Sequence, residues 1–220
     1  MIRIAVFISG SGTNLQSIID NCENKNIDGQ IALVLTNEKA AYGIERAKKH
    51  GIPHCIVDHR DFSSREDFEK AILDAVTRHG PIDLICLAGF MRVLTPYFLK
   101  NAPCKIINIH PALLPSFPGT HGQQDAFEYG EKFSGCTVHF VDEGVDTGPI
   151  IIQAVVPIFS DDTIETLKAR ILAQEHKIYP QAIRYFAEGR IEIYGRKVFI
   201  KDEKKIDEFS HINPRPEAFE

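Results

Sequence analysis

Short, uninterrupted runs of aliphatic and β-branched residues alternate with amphipathic helical segments, and this alternation restricts the fold more than any other feature of the chain. The runs lie at residues 2–8, 31–36, 54–57, 83–88 and 105–109. Between them apolar residues recur with helical spacing, as at Leu15, Ile18, Ile19 and Cys22. Because such strands are apolar on both sides, the pattern predicts a parallel sheet covered by helices on both faces.

The second half of the chain has a different pattern. Two predicted strands, residues 136–142 and 150–156, are joined by a Gly-rich loop without a helix, which favours antiparallel pairing. A long amphipathic helix follows, with Asp162 and Glu165 as a candidate capping box, and residues 191–200 resemble a small hairpin. We therefore expect a Rossmann-like, doubly wound α/β fold, mostly parallel, with antiparallel strands added in the C-terminal half.

Composition limits the classes of protein to which the chain can belong. Its 220 residues are 44% hydrophobic and 25% charged, which fits one folded domain over residues 1–200 with a charged tail at 201–220. A net charge of −5 argues against nucleic acid or an anionic membrane as partner. Without an apolar run of membrane-spanning length or a signal peptide, and with five scattered cysteines, we expect a cytoplasmic protein.

The segment ISGSGTN at residues 8–14 lies between the first predicted strand and helix. Backbone amides of a Gly-rich turn and of a helix N-terminus together can bind an anion. The segment is no dinucleotide fingerprint, because Leu15 replaces the third glycine and no acidic residue closes the second strand. Two interpretations remain: a phosphate bound by the amides of Gly12, Thr13 and Asn14, or a tight turn that binds nothing.

The segment INIHPALLPSFPG at residues 107–119 follows a predicted strand, and in open parallel sheets ligands bind beyond the carboxyl ends of strands. Asn108 and His110 alternate with two isoleucines, so both polar side chains lie on one face. A histidine beside proline is often structural. However, two polar side chains on one face of a buried strand need partners, which the strand does not supply.

The acidic loop within GCTVHFVDEGVDTGPII, residues 135–151, offers a carboxylate for that histidine. Asp142, Glu143 and Asp146 are the candidates, and such a pair would orient the imidazole of His110 and raise its pKa. The alternative is that these acids are solvated or bind a cation, but the spacing is not that of a calcium loop. The sequence also contains no HExxH, CxxC or GxSxG motif, so we expect neither a metal site nor a covalent nucleophile.

Taken together, five segments resemble the phosphoribosylglycinamide formyltransferase family of purine biosynthesis. They are SGSGTNLQSIID, LAGFMRVL, NIHPALLPSFPG, GCTVHFVDEGVDTGPIIIQ and QEHKIYP, and the resemblance covers about residues 1–190. The Asn-x-His-Pro and Asp-x-Gly-Pro motifs are shared with the wider superfamily of formyltransferases and deformylases, whereas the Gly-rich loop is more specific. Ser11 stands where the family often has Asn, and Gln123 and Gln124 stand where His or Arg is common, so neither glutamine is given a role.

The resemblance implies transfer of a formyl group from 10-formyltetrahydrofolate, as co-substrate, to the amine of glycinamide ribonucleotide, without metal. Asn108 and His110 would donate hydrogen bonds to the tetrahedral oxyanion. Asp146 would keep His110 protonated and hold a water that carries the proton between the two nitrogens. The implied ribonucleotide residues are Gly12, Thr13, Asn14 and Glu175. The implied folate residues are Arg65, Met91, Arg92, Val93, Leu94, Asn108, Val141, Asp142, Glu143, Gly144 and Asp146.

Three other functions are alternatives to this one. A formyltetrahydrofolate deformylase has a similar Asn-His-Asp set, but it usually carries an extra N-terminal domain and has no use for a phosphate loop. A methionyl-tRNA formyltransferase adds an RNA-binding domain, for which this chain has neither the length nor the charge. A non-catalytic folate or nucleotide sensor would not need all three of Asn108, His110 and Asp146. The sequence leaves the oligomeric state, monomer or homodimer, open.

Overall fold

The computed structural model describes residues 1–203. The strands are β1 Ile2–Ile8, β2 Gly29–Thr36, β3 His54–Ile56, β4 Leu84–Leu87, β5 Lys105–His110, β6 Phe133–Phe140, β7 Ile150–Pro157, β8 Ile191–Tyr194 and β9 Lys197–Ile200. The helices are α1 Thr13–Glu23, α2 Gly43–Lys49, α3 Arg65–Arg78, α4 Pro96–Asn101, α5 Gly122–Tyr129 and α6 Ile164–Ala187, with a 3₁₀ turn at His59–Asp61. Among these residues no helix has the length and apolar character needed to span a membrane.

Seven strands form one sheet in the order β3-β2-β1-β4-β5-β6-β7, and β8 and β9 form a second, two-stranded sheet. The first five pair in parallel, whereas β5 with β6 and β6 with β7 are antiparallel. This confirms the predicted Rossmann-like, doubly wound α/β fold with antiparallel strands added in the C-terminal half. The assignment of residues 1–200 to one domain stays a prediction, and the predicted tail lies outside the described residues from position 204 onward.

The two faces of the sheet carry separate hydrophobic clusters, because side chains alternate along each strand. On β1, Ile4, Val6 and Ile8 belong to the cluster that includes apolar side chains of α1 and α6. Ala5 and Phe7 belong to the cluster that includes apolar side chains of α3 and α4. Helices therefore cover both faces of the sheet, and only its edges and the ends of its strands are left for a binding site.

Helix α6 begins differently from the prediction. Thr163 is its N-cap: the Thr163 side chain accepts from the Thr166 N–H, while the Thr166 hydroxyl oxygen accepts from the Thr163 N–H. Both oxygens of Asp162 instead accept hydrogen bonds of 2.7 Å from the Arg170 guanidinium. The predicted capping box of Asp162 and Glu165 is therefore wrong by one position, because an ion pair within the same helix region holds the aspartate.

Two short helices, α4 and α5, were not predicted. Helix α4 has six residues and a clear start, with Thr95 as N-cap and Pro96 at its first position, but it buries only Phe98. Helix α5 is mostly polar and buries only Gly122 and Ala126. Neither helix has enough apolar positions to show a period, so composition alone could not separate them from loops.

Candidate active site

Asn108 and His110 lie at the carboxyl end of β5, the strand where the sheet changes from parallel to antiparallel pairing. Asn108 pairs with Leu87 of parallel β4 and with His139 of antiparallel β6. The two side chains are two residues apart on one strand and so lie on the same face. His110 is 3% exposed. An imidazole this deeply buried at a strand end needs hydrogen-bond partners, which come from two loops.

Asp146 approaches the pair from the loop between β6 and β7. Its Oδ2 accepts from the Gly119 N–H at 2.8 Å and lies 3.4 Å from His110 Nδ1, while Oδ1 accepts from Asn108 Nδ2 at 3.4 Å. The backbone of Asp146 is left-handed, with φ 55°. That conformation is costly for most residues, and here the contacts of the carboxylate hold it in place. The three residues predicted to be catalytic therefore form one cluster.

The His110 ring is oriented by a backbone carbonyl. Its Nε2 lies 2.8 Å from the oxygen of Phe117, and a carbonyl only accepts, so Nε2 carries a hydrogen in every state of the ring. The other nitrogen, Nδ1, faces Asp146. Gly122 packs against this ring so closely that an added Cβ would lie 3.0 Å from Nε2. It follows that Nδ1 is the nitrogen that gains or loses a proton.

The protonation states of the pair follow from burial and charge. Burial lowers the pKa of His110, and the charge of Asp146 and the contact with the Phe117 carbonyl only partly offset it. Burial alone would raise the pKa of Asp146, but His139, the Gly119 N–H and the charge of His110 together bring it below its usual value. Both shifts favour an aspartate beside a neutral imidazole. The predicted rise in the pKa of His110 is therefore wrong in direction, because desolvation of the ring outweighs the carboxylate. Whether Asp146 keeps His110 protonated during the reaction stays a prediction.

His139 is a fourth polar residue of this cluster, and the sequence analysis gave it no role. Its Nδ1 donates to the Phe140 carbonyl at 2.8 Å, and its Nε2 lies 3.3 Å from Asn108 Nδ2 and 3.5 Å from Asp146 Oδ1. The available signal was a polar residue within the apolar run TVHFV. Its position beside Asn108 depends on the register between β5 and β6, which the sequence does not reveal. Among the described residues no group of three or more His, Cys, Asp or Glu is arranged to hold a metal ion.

A cavity of about 170 Å³ opens beside the cluster, between the segment that follows β4 and the loop between β6 and β7. Most of the predicted folate residues line it: Met91, Arg92, Val93, Leu94, Asn108, Val141, Asp142, Gly144 and Asp146. Glu143 is not part of its wall. Arg65 also lies outside the wall, but its guanidinium donates a hydrogen bond to the carbonyl of Val93. The cavity therefore combines apolar side chains with the polar cluster at one end.

The predicted ribonucleotide residues gather where α1 begins. Gly12 is the N-cap with φ 68°, and no side chain caps the helix. An added Cβ on Gly12 would lie 2.8 Å from the Cα of Gly43, so this close approach requires glycine. Asn14 Nδ2 donates to Glu175 Oε2 at 2.7 Å, and the buried Oδ1 of Asn14 has no partner among the described residues. The loop and helix α6 thus meet at one site.

Comparison with known proteins identifies the family. The formyl transferase family model matches residues 2–183, a span that contains the Asn108–His110–Asp146 cluster, the cavity and the Gly-rich loop. This chain belongs to the formyl transferase family. The match includes most of α6, with Glu175, and ends before the β8-β9 hairpin.

Individual members of the formyl transferase family are similar over most of the chain. It is 44% identical to phosphoribosylglycinamide formyltransferase of Haemophilus influenzae, with 97% of this chain and the whole of that protein covered. The chain is also similar to the crystal structure of glycinamide ribonucleotide transformylase 1 from Symbiobacterium toebii, with 52% sequence identity and a TM-score of 0.89. The match covers 92% of this chain and 95% of that one.

Other similar proteins are much longer. The trifunctional purine biosynthetic protein adenosine-3 of Chironomus tentans is 47% identical over 87% of this chain, which spans 14% of its length. The protein of the same name from Homo sapiens is 43% identical over 91% of this chain, which spans 20% of its length.

Proposed function

We propose that the protein transfers the formyl group of 10-formyltetrahydrofolate to the amine of glycinamide ribonucleotide. The observation that carries this proposal is the Asn108–His110–Asp146 cluster at the end of a cavity, with a separate Gly-rich loop at the start of α1. A transfer between two substrates needs a binding region for each of them. Relatives matched over nearly their whole length are named phosphoribosylglycinamide formyltransferase, which supports the assignment.

The cavity suits the pterin of the folate donor. Met91 is 65% exposed, Val93 52% and Val145 48%, and all three line the cavity. Exposed apolar side chains grouped around a cavity are typical of a ligand site. In this proposal the pterin lies against Met91 and Val93, hydrogen-bonds to the backbone at Arg92 and Leu94, and extends along the loop from 141 to 146.

The start of α1 suits the phosphate of the ribonucleotide. An uncapped helix N-terminus presents free amides and the positive end of the helix dipole, both of which favour a phosphate. Glu175 lies one hydrogen bond from Asn14 and accepts from the ribose hydroxyls in this proposal. Burial raises the pKa of Glu175, and the hydrogen bond from Asn14 partly offsets this. Ribose hydroxyls would stabilise its charged form further.

The reaction begins when the amine attacks the formyl carbon, which forms a C–N bond and leaves the formyl oxygen negatively charged. Asn108 Nδ2 is placed to donate to that oxygen. Its contacts with His139 Nε2, at 3.3 Å, and Asp146 Oδ1, at 3.4 Å, are long for hydrogen bonds. The amide can therefore exchange one of them for the stronger bond to an oxyanion.

One proton must move from the attacking amine to the departing folate nitrogen. Neutral His110 accepts it at Nδ1 as the attack proceeds, and Asp146, 3.4 Å away, stabilises the imidazolium. The imidazolium donates to the oxyanion and then returns the proton to the folate nitrogen as the old C–N bond breaks. The products are the formylated amine and tetrahydrofolate, and no proton is gained or lost overall.

A steady-state assay tests the proposal. Purified protein is mixed with 10-formyltetrahydrofolate, with and without glycinamide ribonucleotide, and the folate product is followed by absorbance. The proposal predicts product only when both substrates are present. Folate product without the ribonucleotide would identify a formyltetrahydrofolate deformylase instead. Binding of both substrates without any product would identify a sensor.

A further inference from the structure

Glu69 is a buried acid to which the mechanism above gives no role. It lies on α3 and is 1% exposed. Its Oε1 accepts from the Thr95 N–H at 2.8 Å, and its Oε2 accepts from the Thr95 hydroxyl. It makes no ion pair with any residue in the described part of the chain. A buried carboxyl group needs hydrogen-bond partners, and Thr95 supplies one for each of its oxygens.

The same face of α3 contacts the residues just before Thr95. Arg65, Phe68 and Glu69 are three and four residues apart and so lie together on one face of the helix. The Arg65 guanidinium donates to the Val93 carbonyl. The centre of the Phe68 ring lies 5.9 Å from the guanidinium carbon of Arg92, the residue that precedes Val93. One helix face therefore holds most of the segment 91–95.

The start of the segment 91–95 is held from the other side. The Ser9 hydroxyl oxygen accepts from the Met91 N–H at 2.8 Å and donates to Asn37 Oδ1 at 2.5 Å. The Ser9 N–H also donates to the Gly89 carbonyl at 3.0 Å. The end of β1 and helix α3 thus fix the segment at both ends.

The backbone of the segment shows an alternating pattern. The Met91 N–H donates to Ser9, the Val93 carbonyl accepts from Arg65, and the Thr95 N–H donates to Glu69. The backbone N–H and carbonyl groups of Arg92 and Leu94 make no hydrogen bond to any residue between 1 and 203. Both residues line the cavity. The framework thus restrains every second residue and leaves the two between them free for a ligand.

We propose that Glu69 is a positioning residue for the folate donor. Through Thr95 it holds the segment 91–95 in the conformation that keeps the backbone groups of Arg92 and Leu94 available to the pterin. This inference rests on the proposed function, in which that segment binds the folate. Glu69 itself touches neither substrate and acts only through the segment 91–95. Its loss should therefore weaken binding of the folate donor and leave the Asn108–His110–Asp146 cluster intact.

The test compares Glu69→Ala with Glu69→Gln and with a control, Glu66→Ala. Glu66 is on the same helix but is exposed and pairs with Lys70. We expect Glu69→Ala to raise the KM for 10-formyltetrahydrofolate about tenfold or more, since the partly buried N–H and hydroxyl of Thr95 lose their acceptor. The KM for the ribonucleotide and kcat at saturating folate should stay within about twofold. Glu69→Gln keeps an oxygen for the Thr95 N–H and should recover most of the affinity, and Glu66→Ala should behave like the wild type.

Direct binding separates this inference from the proposed function. Calorimetric titration with tetrahydrofolate measures donor-site affinity without turnover. No binding by the wild-type protein would refute the proposed function, whatever Glu69 does. Wild-type binding with equal affinity in Glu69→Ala, or a fall in kcat without a change in folate KM, would overturn the role of Glu69. If Glu69→Ala does not fold, Thr95→Val removes the hydroxyl hydrogen bond to Glu69 together with the N-cap of α4. Thr95→Ser keeps both and is its control, and the same two results decide.

Discussion

Replacing Asp146 by asparagine removes one charge from the centre of the proposed mechanism and changes little else. The amide oxygen can still accept from the Gly119 N–H, and asparagine tolerates the left-handed backbone at this position. Folding and both binding regions should therefore survive. The variant loses the negative charge beside His110 Nδ1, which in the proposal stabilises the imidazolium formed during the reaction.

The size of the effect follows from the distance. Asp146 Oδ2 lies 3.4 Å from His110 Nδ1. With an effective dielectric constant of about 20, two unit charges at that distance attract by roughly 5 kcal/mol. If between half and all of the charge has developed at the transition state, kcat falls roughly 10²- to 10⁴-fold. Either KM should change little.

The assay is the measurement of kcat and both KM values for Asp146→Asn, His110→Ala and the double variant. Asp74→Asn, an exposed aspartate of α3, is the matched control and should keep wild-type rates. The two catalytic losses should be far from multiplicative, because both residues act on one proton. The contrary result is that Asp146→Asn raises only the folate KM and that its effect multiplies with that of His110→Ala. Asp146 would then merely shape the folate loop, and its role in stabilising the His110 imidazolium would be refuted.

Three further outcomes are expected. By NMR the His110 ring should titrate below the ordinary histidine value of 6.5, and lower still in Asp146→Asn, which lacks the carboxylate charge. Because the proposed base is neutral His110, kcat should fall as the pH drops through that pKa. Titration above neutrality would contradict this. Gly12→Ala should raise the ribonucleotide KM, because the added Cβ would meet the Cα of Gly43. Gly51→Ala, also at positive φ but without a close neighbour, should leave that KM unchanged. Equal effects would exclude the contact with Gly43 as the cause. Tyr179→Phe removes a buried hydroxyl that donates to two carbonyls, so urea unfolding should show about 1–2 kcal/mol lower stability with both KM values unchanged.

The sheet could be predicted from the sequence because its central strands are apolar on both sides. Runs such as Ile4–Ile8 fit only a strand covered on both faces, and β1 is buried in this way. The bounds of β6 differ from the prediction. The apolar pattern predicts a strand at residues 136–142, whereas β6 lies at Phe133–Phe140, so Asp142 follows the strand. Apolar runs give the centre of an element, whereas hydrogen-bonded neighbours decide its ends.

The site could be predicted in part. Period-two spacing placed Asn108 and His110 on one face, and the structure brings Asp146 to them. The contribution of His139 depends on strand register, and the downward shift of the His110 pKa depends on how deeply the ring is buried. Both are properties of the tertiary structure. Sequence shows which groups are present, but not how much water each of them retains.

In the proposed reaction the formyl group passes directly from the folate to the amine, assisted by Asn108, His110 and Asp146. A single-turnover experiment with an isotopically labelled formyl group on 10-formyltetrahydrofolate tests this, with labelled carbon followed by NMR and the protein checked by mass spectrometry. All of the label should appear as formylglycinamide ribonucleotide, with none on the protein. Label released as formate in the presence of the ribonucleotide, or bound covalently to the protein, would contradict it.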